Sequence, residues 1–375
     1  MHIIISSGGT GGHFYPGLSI AREFVARGNQ VTFLISGQQA AEQQSTTEAN
    51  GIAARQIPSV RAPRTIPELL LFPFRFWKCC RAIKKTLRDL KGDALLSMGS
   101  FTSVAPCWCW PKSPKPLFLH EGNTFMGQAN RLFAKKATAL ALTLPLAIPA
   151  QTKGTPSCIT GMPLREAILD AAKNPPSPAQ RAEILHSFGL TPDKKTALIF
   201  GGSQGARAIV NLVTDSIPLL ADCAKEIQFI ILTGADDNTA LEHACQAAGI
   251  AARIAKKDPE IQRCYQVADI VVCRAGASSI CELALFQKTA ALIPLPSAKD
   301  NHQFHNAKCL ADANAAALLT QSQTTPDSFA DFLKDWLSHP EKFADMPAAI
   351  GQFARPDATR QVVDFLSNFL PKPQP

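Results

Sequence analysis

At 375 residues the chain exceeds the ~250–300 residues at which a single core stops growing, so two domains are expected. It is 46% hydrophobic and 18% charged, ordinary for a globular protein with sizeable cores. No apolar run reaches the ~18 residues of a membrane span, and "MHIIISSGG" lacks the charged start of a secretion signal, which predicts a cytosolic chain.

The net charge of +8 is uneven: residues 1–163 carry 18 basic against 7 acidic residues, and residues 164–375 carry 20 against 23. The amino-terminal part is therefore expected to meet something anionic: a nucleic acid, a lipid headgroup surface or a phosphorylated substrate. The eleven cysteines include no C-x-x-C pair, and the spacings of "CC" (79–80) and "CWC" (107–109) suit neither zinc nor a structural bridge. Reduced, mostly buried thiols and no metal site are expected.

In chain order, "HIIIS" reads as a buried strand. Pro16 suits the first turn of a helix whose Leu18, Ala21, Phe24 and Val25 recur at helical spacing until Gly28. "QVTFLIS" (30–36), "DALLSM" (93–98) and "KPLFLH" (115–120) are further strands. The second half repeats the pattern with "TALIF" (196–200), "IQFIILTG" (227–234), "DIVVCR" (269–274) and "TAALIPL" (289–295). Strand–helix alternation predicts parallel sheets covered by helices, hence an α/β protein of two Rossmann-like, doubly wound domains. The proline-rich "AKNPPSPAQRAE" (172–183) is the expected linker. Ligands of such sheets bind outside the carboxyl ends of the strands, so a ligand held in a cleft that both domains face is expected.

Two glycine turns lead from strand to helix, "IIISSGGTGGHFYPG" (3–17) and "TALIFGGSQGARAIV" (196–210). Helix amino-termini carry unpaired N–H groups and about +0.5 of an elementary charge, and glycines let a phosphate approach them. Phe14 falls where the third glycine of G-x-G-x-x-G belongs, and "LISGQQ" brings no carboxylate for a ribose, so a dinucleotide cofactor is disfavoured. "GGSQGAR" lacks the Lys-Ser/Thr of a P-loop, which disfavours ATP or GTP hydrolysis. No cofactor is expected. A plain strand-to-helix turn is the alternative for either loop.

"DIVVCRAGASSICELALF" reads as strand, small-residue turn and helix, with Glu282 in the first turn, where a carboxylate can accept both hydroxyls of a ribose. A capping box, Ser279-x-x-Glu282, fits the same spacing. In "SAKDNHQFHNA" (297–307), Asp300, His302 and Gln303 open another helix. They suit a sugar's hydroxyls, or an N-cap at Asp300 with Gln303 three residues on. No D-x-D clip for a metal–diphosphate occurs, so a departing nucleotide diphosphate must be stabilised by backbone N–H groups and helix ends.

"PELLLFPFRFWKCCRAIKKTLRDLKG" (67–92) crowds Leu69, Leu70, Leu71, Phe72, Phe74, Phe76 and Trp77 at its start. Arg75, Lys78, Arg81, Lys84, Lys85 and Arg88 follow at intervals of three or four, placing the cations on one helical face beside an apolar patch. This is the composition of an interfacial membrane helix attracted to anionic lipid; a core helix with a solvated basic side is the alternative. Nucleic acid fits less well, because the aromatics bunch at one end instead of alternating with the cations.

Taken together, "GGTGGHFYPG", "MGSFTS" (98–103), "HEGN" (120–123), "TGMPLR" (160–165), "GGSQGA" (201–206), "CRAGASSICE" (273–282) and "KDNHQFHNA" (299–307) resemble, in order, the motifs of the MurG family of peptidoglycan glycosyltransferases. The resemblance spans roughly residues 3–310. It implies a GT-B type fold with a 1–163 acceptor- and membrane-binding domain, a 164–355 domain for UDP-N-acetylglucosamine, and a 356–375 C-terminal helix whose return onto the first domain the sequence leaves open.

The same resemblance implies that Thr10, Gly11 and Gly12 line the reaction centre and the acceptor diphosphate. Asn123 would contact the sugar, and Arg165 and Ser203, with Gln204 and Gly205 beside it, the nucleotide diphosphate. Ala277, Ser278, Ser279, Ile280, Cys281 and Glu282 would wrap the uridine, with Glu282 on its ribose, and Gln303 would hold the N-acetylglucosamine hydroxyls. The family usually has Gln where Gly122 stands, Gln at His302 and Tyr at Phe101.

The implied partners are UDP-N-acetylglucosamine, an undecaprenyl-diphosphate-linked muramoyl-pentapeptide and anionic membrane lipid at the cytoplasmic face of the bacterial plasma membrane. A place in a cell-wall synthesis complex is left open. In an inverting displacement of UDP a base must take the acceptor's proton. His13, titrating near neutral pH, is the first candidate and Glu121 the reserve. Another two-domain enzyme on UDP-N-acetylglucosamine, such as a 2-epimerase, and a non-catalytic membrane-associated nucleotide-sugar binder are the competing readings.

Overall fold

The computed structural model describes residues 1–8, 11–60, 63, 65–111 and 114–371, with the side chains of 202–206 outside the described set. The chain divides into two compact units, Met1–Arg165 together with the segment from Asp357 onward, and Glu166–Pro356.

The first unit is built on parallel strands β1 (His2–Gly8), β2 (Gln30–Ser36), β3 (Ala53–Gln56), β4 (Ala94–Ser97), β5 (Leu117–Glu121), β6 (Ala139–Leu142) and β7 (Ser157–Ile159), in the order β3-β2-β1-β4-β5-β6-β7. β1 lies at the point where the order reverses, the place where doubly wound sheets hold their ligands. Both faces of the sheet are covered, which is why its central strands read as continuous apolar runs: Ile3, Ile4, Ile5, Leu95 and Leu96 have no exposed surface. The connecting helices are α1 (Gly11–Ala26), α2 (Ala40–Ala49), α3 (Ile66–Leu90), α4 (Val104–Cys109) and α5 (Gln128–Phe133). Pro16 lies inside α1 and not in its first turn, because the helix starts directly on the glycine loop.

In the second unit α6 (Glu166–Lys173) and α7 (Pro178–Ser187) precede the alternation β8 (Lys195–Phe200), α8 (Gly202–Ser216), β9 (Ile227–Leu232), α9 (Thr239–Ala247), β10 (Ala252–Ala255), α10 (Ile261–Val267), β11 (Ile270–Cys273), α11 (Ala277–Leu285), β12 (Thr289–Leu292), α12 (His302–Ala311), β13 (Ala317–Leu318), α13 (Pro326–Ser338) and α14 (Met346–Gly351). The sheet runs β10-β9-β8-β11-β12-β13, all parallel, with β8 at its reversal point. The proline-rich 172–183 segment is not the linker. Ser177 caps α7 in a reciprocal capping box with Gln180 and Pro178 opens the helix, so the prolines mark a helix start.

A last helix, α15 (Ala358–Ser367), belongs to the first unit. Val362, Val363 and Leu366 are fully buried in the core that contains Phe24 of α1, each contributing roughly 1.5–3 kcal/mol of apolar burial. Arg27 and Asp364 close the contact with an ion pair of 2.5 Å.

Candidate active site

In the first unit the polar groups gather at the carboxyl edge of the sheet, around the glycine turn from β1 into α1. A Cβ on Gly8 would lie 2.3 Å from the Ser36 carbonyl oxygen and 3.2 Å from Thr102 Oγ1, so only glycine lets β1 run so close to β2 at that point. Gly11, Gly12 and His13 form the first turn of α1, where amide groups lack intrahelical acceptors. Thr10 lies outside the described residues. Gly99, in the left-handed region at φ +82°, closes the other side: a Cβ there would be 3.4 Å from Asn130 Nδ2 and 3.6 Å from the His13 ring. The half-buried His13 therefore sits against a backbone turn that a side chain would strain.

β5 ends in His120 and Glu121, both buried. Glu121 is fully engaged. Its Oε1 accepts from the Asn123 backbone N–H (3.0 Å) and Asn123 Nδ2 (3.1 Å), and its Oε2 from the Gly127 N–H (2.9 Å) and Asn130 Nδ2 (2.9 Å). One carboxylate thus ties the loop after β5 to the start of α5. Burial pushes the His120 imidazole down to about 4; a hydrogen bond to the Gly161 backbone opposes this, and the nearby His13 adds to it. His120 is therefore neutral near pH 7, and its Nε2 has no hydrogen-bond partner. The exposed Arg165 places its guanidinium 5.7 Å above the ring of Tyr15 on α1.

The second unit repeats the device. β8 ends at Phe200, Gly201 takes the N-cap position, and α8 starts at Gly202, so Ser203, Gln204 and Gly205 occupy its first turn. α11 starts at Ala277 with Gly276 as N-cap and no side-chain cap. The Ser279–Glu282 capping box does not form, because the helix begins two residues before Ser279 and Glu282 falls in its second turn. Ala277, Ser278 and Ser279 stay partly accessible, while Ile280 and Cys281 are buried. Glu282 Oε2 instead accepts the Tyr265 hydroxyl at 2.9 Å.

The Asp300 cap does not form either. Asp300 and Asn301 both have left-handed backbones (φ 53° and 52°), and α12 begins at His302 without a side-chain cap. Gln303 Oε1 accepts the Leu295 backbone N–H at 3.0 Å, so its amide NH2 is the group left to face an acceptor oxygen on a ligand. The His302 ring bonds the Lys299 carbonyl at 2.8 Å.

Two residues that the sequence reading did not single out support this edge. Arg274, 4% exposed, donates to the carbonyls of Ile293 and Pro294 (3.1 Å each) and to Gln321 Oε1 (2.8 Å). Asn306, buried on α12, donates to the Ala275 carbonyl at 3.0 Å. Arg274 was signalled by a charge at the end of the apolar run "IVVC", whereas Asn306, in the polar stretch "KDNHQFHNAK", carried no such signal.

The basic apolar segment forms α3, capped by Thr65, which accepts from the Glu68 N–H. Cys79, Cys80, Ile83 and Leu87 anchor it to the core, while Leu70, Phe74 and Trp77 are 77%, 65% and 56% exposed. That exposure excludes a core role for its start. At 100° per residue, Leu70, Phe74, Trp77, Arg81, Lys84 and Arg88 share one stripe, apolar toward the amino end and cationic toward the carboxyl end. On that face charge and apolarity are thus separated along the helix axis, the apolar residues at its start as the sequence places them. Phe72 stacks on Phe76 (5.6 Å), and Arg81 covers Trp77 (5.7 Å). Trp77, Arg81, Lys84, Arg88, Lys91 and Lys115 line a cavity of about 830 Å³. Among the described residues no helix is long and apolar enough to cross a membrane.

Two parallel Rossmann-type sheets, each leading onto a helix amino-terminus at its reversal point, define a fold of the GT-B type. The family descriptions agree: the glycosyltransferase family 28 N-terminal domain matches residues 3–142 and the family 28 C-terminal domain residues 196–362. A protein of Mesorhizobium japonicum, named UDP-N-acetylglucosamine--N-acetylmuramyl-(pentapeptide) pyrophosphoryl-undecaprenol N-acetylglucosamine transferase, is 30% identical over 96% of this chain and 93% of its own length. A protein of the same name from Verminephrobacter eiseniae is 33% identical over 88% of this chain and 89% of its own. The crystal structure of MurG from Acinetobacter baumannii superposes with a TM-score of 0.78 at 25% identity, covering 98% of this chain and 99% of that one. The UDP-GlcNAc 2-epimerase of Neisseria meningitidis, 13% identical with a TM-score of 0.67 over 98% of this chain and all of that one, shares the fold. The chain belongs to the MurG family of glycosyltransferases.

Proposed function

We propose that this chain transfers N-acetylglucosamine from UDP-N-acetylglucosamine to the muramoyl 4-hydroxyl of an undecaprenyl-diphosphate-linked muramoyl-pentapeptide, inverting the anomeric centre and releasing UDP. The observation that carries the reading is the 30–33% identity, over 96% and 88% of this chain, to relatives whose names specify this donor and acceptor.

The donor belongs to the second unit. Glu282 receives the ribose hydroxyls, the first-turn amides of α8 the diphosphate, and Gln303 donates to an oxygen of the sugar. The acceptor belongs to the first unit, its diphosphate at Thr10, Gly11 and Gly12. The 4-hydroxyl oxygen attacks the anomeric carbon as the bond to UDP breaks. The hydroxyl proton passes to His13, and the charge growing on UDP is met by helix-end amides. Glu121 is better suited to positioning than to proton transfer, since four donors already occupy its carboxylate.

The apolar start of α3 enters the acyl layer of the cytoplasmic leaflet, and its cationic end meets anionic headgroups, contributing about 1 kcal/mol per basic residue. The lipid-linked acceptor is reached there without a membrane span, in reach of a cell-wall synthesis complex.

Incubating the protein with UDP-N-acetylglucosamine and a lipid-linked muramoyl acceptor should yield a disaccharide lipid and UDP; absence of that product would sink the reading. His13→Ala should lose turnover, by the ~10²–10⁴-fold typical of a general base, while retaining UDP binding. Unchanged turnover would remove His13 from its role.

A further inference from the structure

Tyr265 is one of two tyrosines in the chain and has no exposed surface. Its ring stacks on Phe286 at 5.1 Å and 19°, and meets Phe200 edge-on at 6.1 Å and 84°. Phe286 caps the end of α11, the helix that carries Glu282, and Phe200 is the last residue of β8, one residue before the turn into α8. Tyr265 thus touches the structural supports of both the ribose carboxylate and the diphosphate amides.

Its hydroxyl donates to Glu282 Oε2 at 2.9 Å. A buried phenol has no water to turn to, so losing that acceptor would orphan it. Burial, followed by the neighbouring Glu282 charge, pushes the phenol's pKa well above its ordinary value, which keeps it a donor at all working pH. A half-buried glutamate has three rotatable torsions, and holding two vicinal hydroxyls requires one setting of the carboxylate plane.

We propose that Tyr265 is the positioning residue of the uridine site: its hydroxyl sets the plane of the Glu282 carboxylate for the ribose hydroxyls. This rests on the reading of Glu282 as the ribose-binding group. Both ring neighbours hold the phenol in place, so the hydrogen bond transmits a rigid orientation.

The test is Tyr265→Phe in the full chain, which keeps the ring and both aromatic contacts. The expected result is a KM for UDP-N-acetylglucosamine raised about tenfold, as for loss of one hydrogen bond to a charged group, with kcat within about twofold. The preference for UDP over 2′-deoxy-UDP in direct binding should fall by a similar factor. A merely structural role would weaken both nucleotides equally, and that outcome would overturn the proposal. Should Tyr265→Phe not fold, Glu282→Asp, too short to reach hydroxyl and ribose together, must lose the same preference; an unchanged preference would overturn the proposal. If Glu282→Gln leaves UDP binding and the 2′-deoxy preference untouched, the ribose reading itself fails. If Glu282→Gln loses the preference and Tyr265→Phe keeps it, only the positioning role fails.

Discussion

Replacing Glu121 by glutamine tests whether that carboxylate acts on a substrate or holds the site together. The substitution is nearly isosteric, but an amide offers one acceptor oxygen and one NH2 group. The carboxylate accepts two N–H groups on each oxygen, at 2.9–3.1 Å, in a site only 3% exposed. Whichever way the amide turns, its NH2 faces two donors, Asn123 N–H with Nδ2 or Gly127 N–H with Asn130 Nδ2. Hydrogen bonds to a charged acceptor contribute roughly 1.5–3 kcal/mol each, so losing two costs about 3–6 kcal/mol. For a unit of this size 1 kcal/mol moves Tm by about 2–4 °C, so the first unit's transition should drop by at least about 6 °C. The assay is thermal and urea unfolding, with UDP binding as a control on the second unit. A transition unmoved while turnover disappears would refute the reasoning, because the carboxylate would then be working on the substrate and not on the loop.

Other outcomes follow from the same geometry. The His120 imidazole is depressed to about 4 by burial, so its contribution is fully present above pH ~6.5, where both states are neutral, and is lost as pH falls through about 4; the shift is worth about 3 kcal/mol. Urea unfolding at pH 7.5 and 4.5 should show that slope in the parent and a shallower one in His120→Asn. Gly8→Ala should cost about 1–3 kcal/mol by overpacking, since its Cβ meets the Ser36 carbonyl oxygen at 2.3 Å, and turnover should fall as the start of α1 shifts. Gly28→Ala, where nothing lies within 4 Å, should cost only the strain of a left-handed φ, about 1–2 kcal/mol, with turnover kept. Leu70→Ser with Phe74→Ser should lose sedimentation with both neutral and anionic vesicles, by roughly 1.5–3 kcal/mol per side chain. Lys84→Glu with Arg88→Glu should lose only the preference for anionic ones; equal loss on neutral vesicles would refute the axial division of α3.

The paired α/β architecture was legible because buried parallel strands must be apolar throughout: "QVTFLIS" is β2 residue for residue, "TALIF" lies within β8 and "IQFIILTG" contains β9. Short strands such as β3, with "AARQ" mostly exposed, and β10, "ARIA" half-buried, carry no such run and could be found only from their pairing. β6 lies inside the longer apolar stretch "ATALALTLPLAIPA" (137–150), which does not mark where the strand ends.

The site divides the same way. Gly11, Gly12, His13, Glu121, Glu282 and Gln303 stood out in the chain because glycine turns and polar residues after apolar strands are local signals. Their duties were not local. Whether Glu282 caps its own helix or bonds Tyr265, whether Gln303 caps α12 or holds the Leu295 amide, and whether the last helix joins the first unit are settled by atoms 8 to 337 positions apart in the chain. Local sequence sets propensity and pattern, whereas the partner of a polar group is chosen by which distant backbone the packed core brings within hydrogen-bond reach.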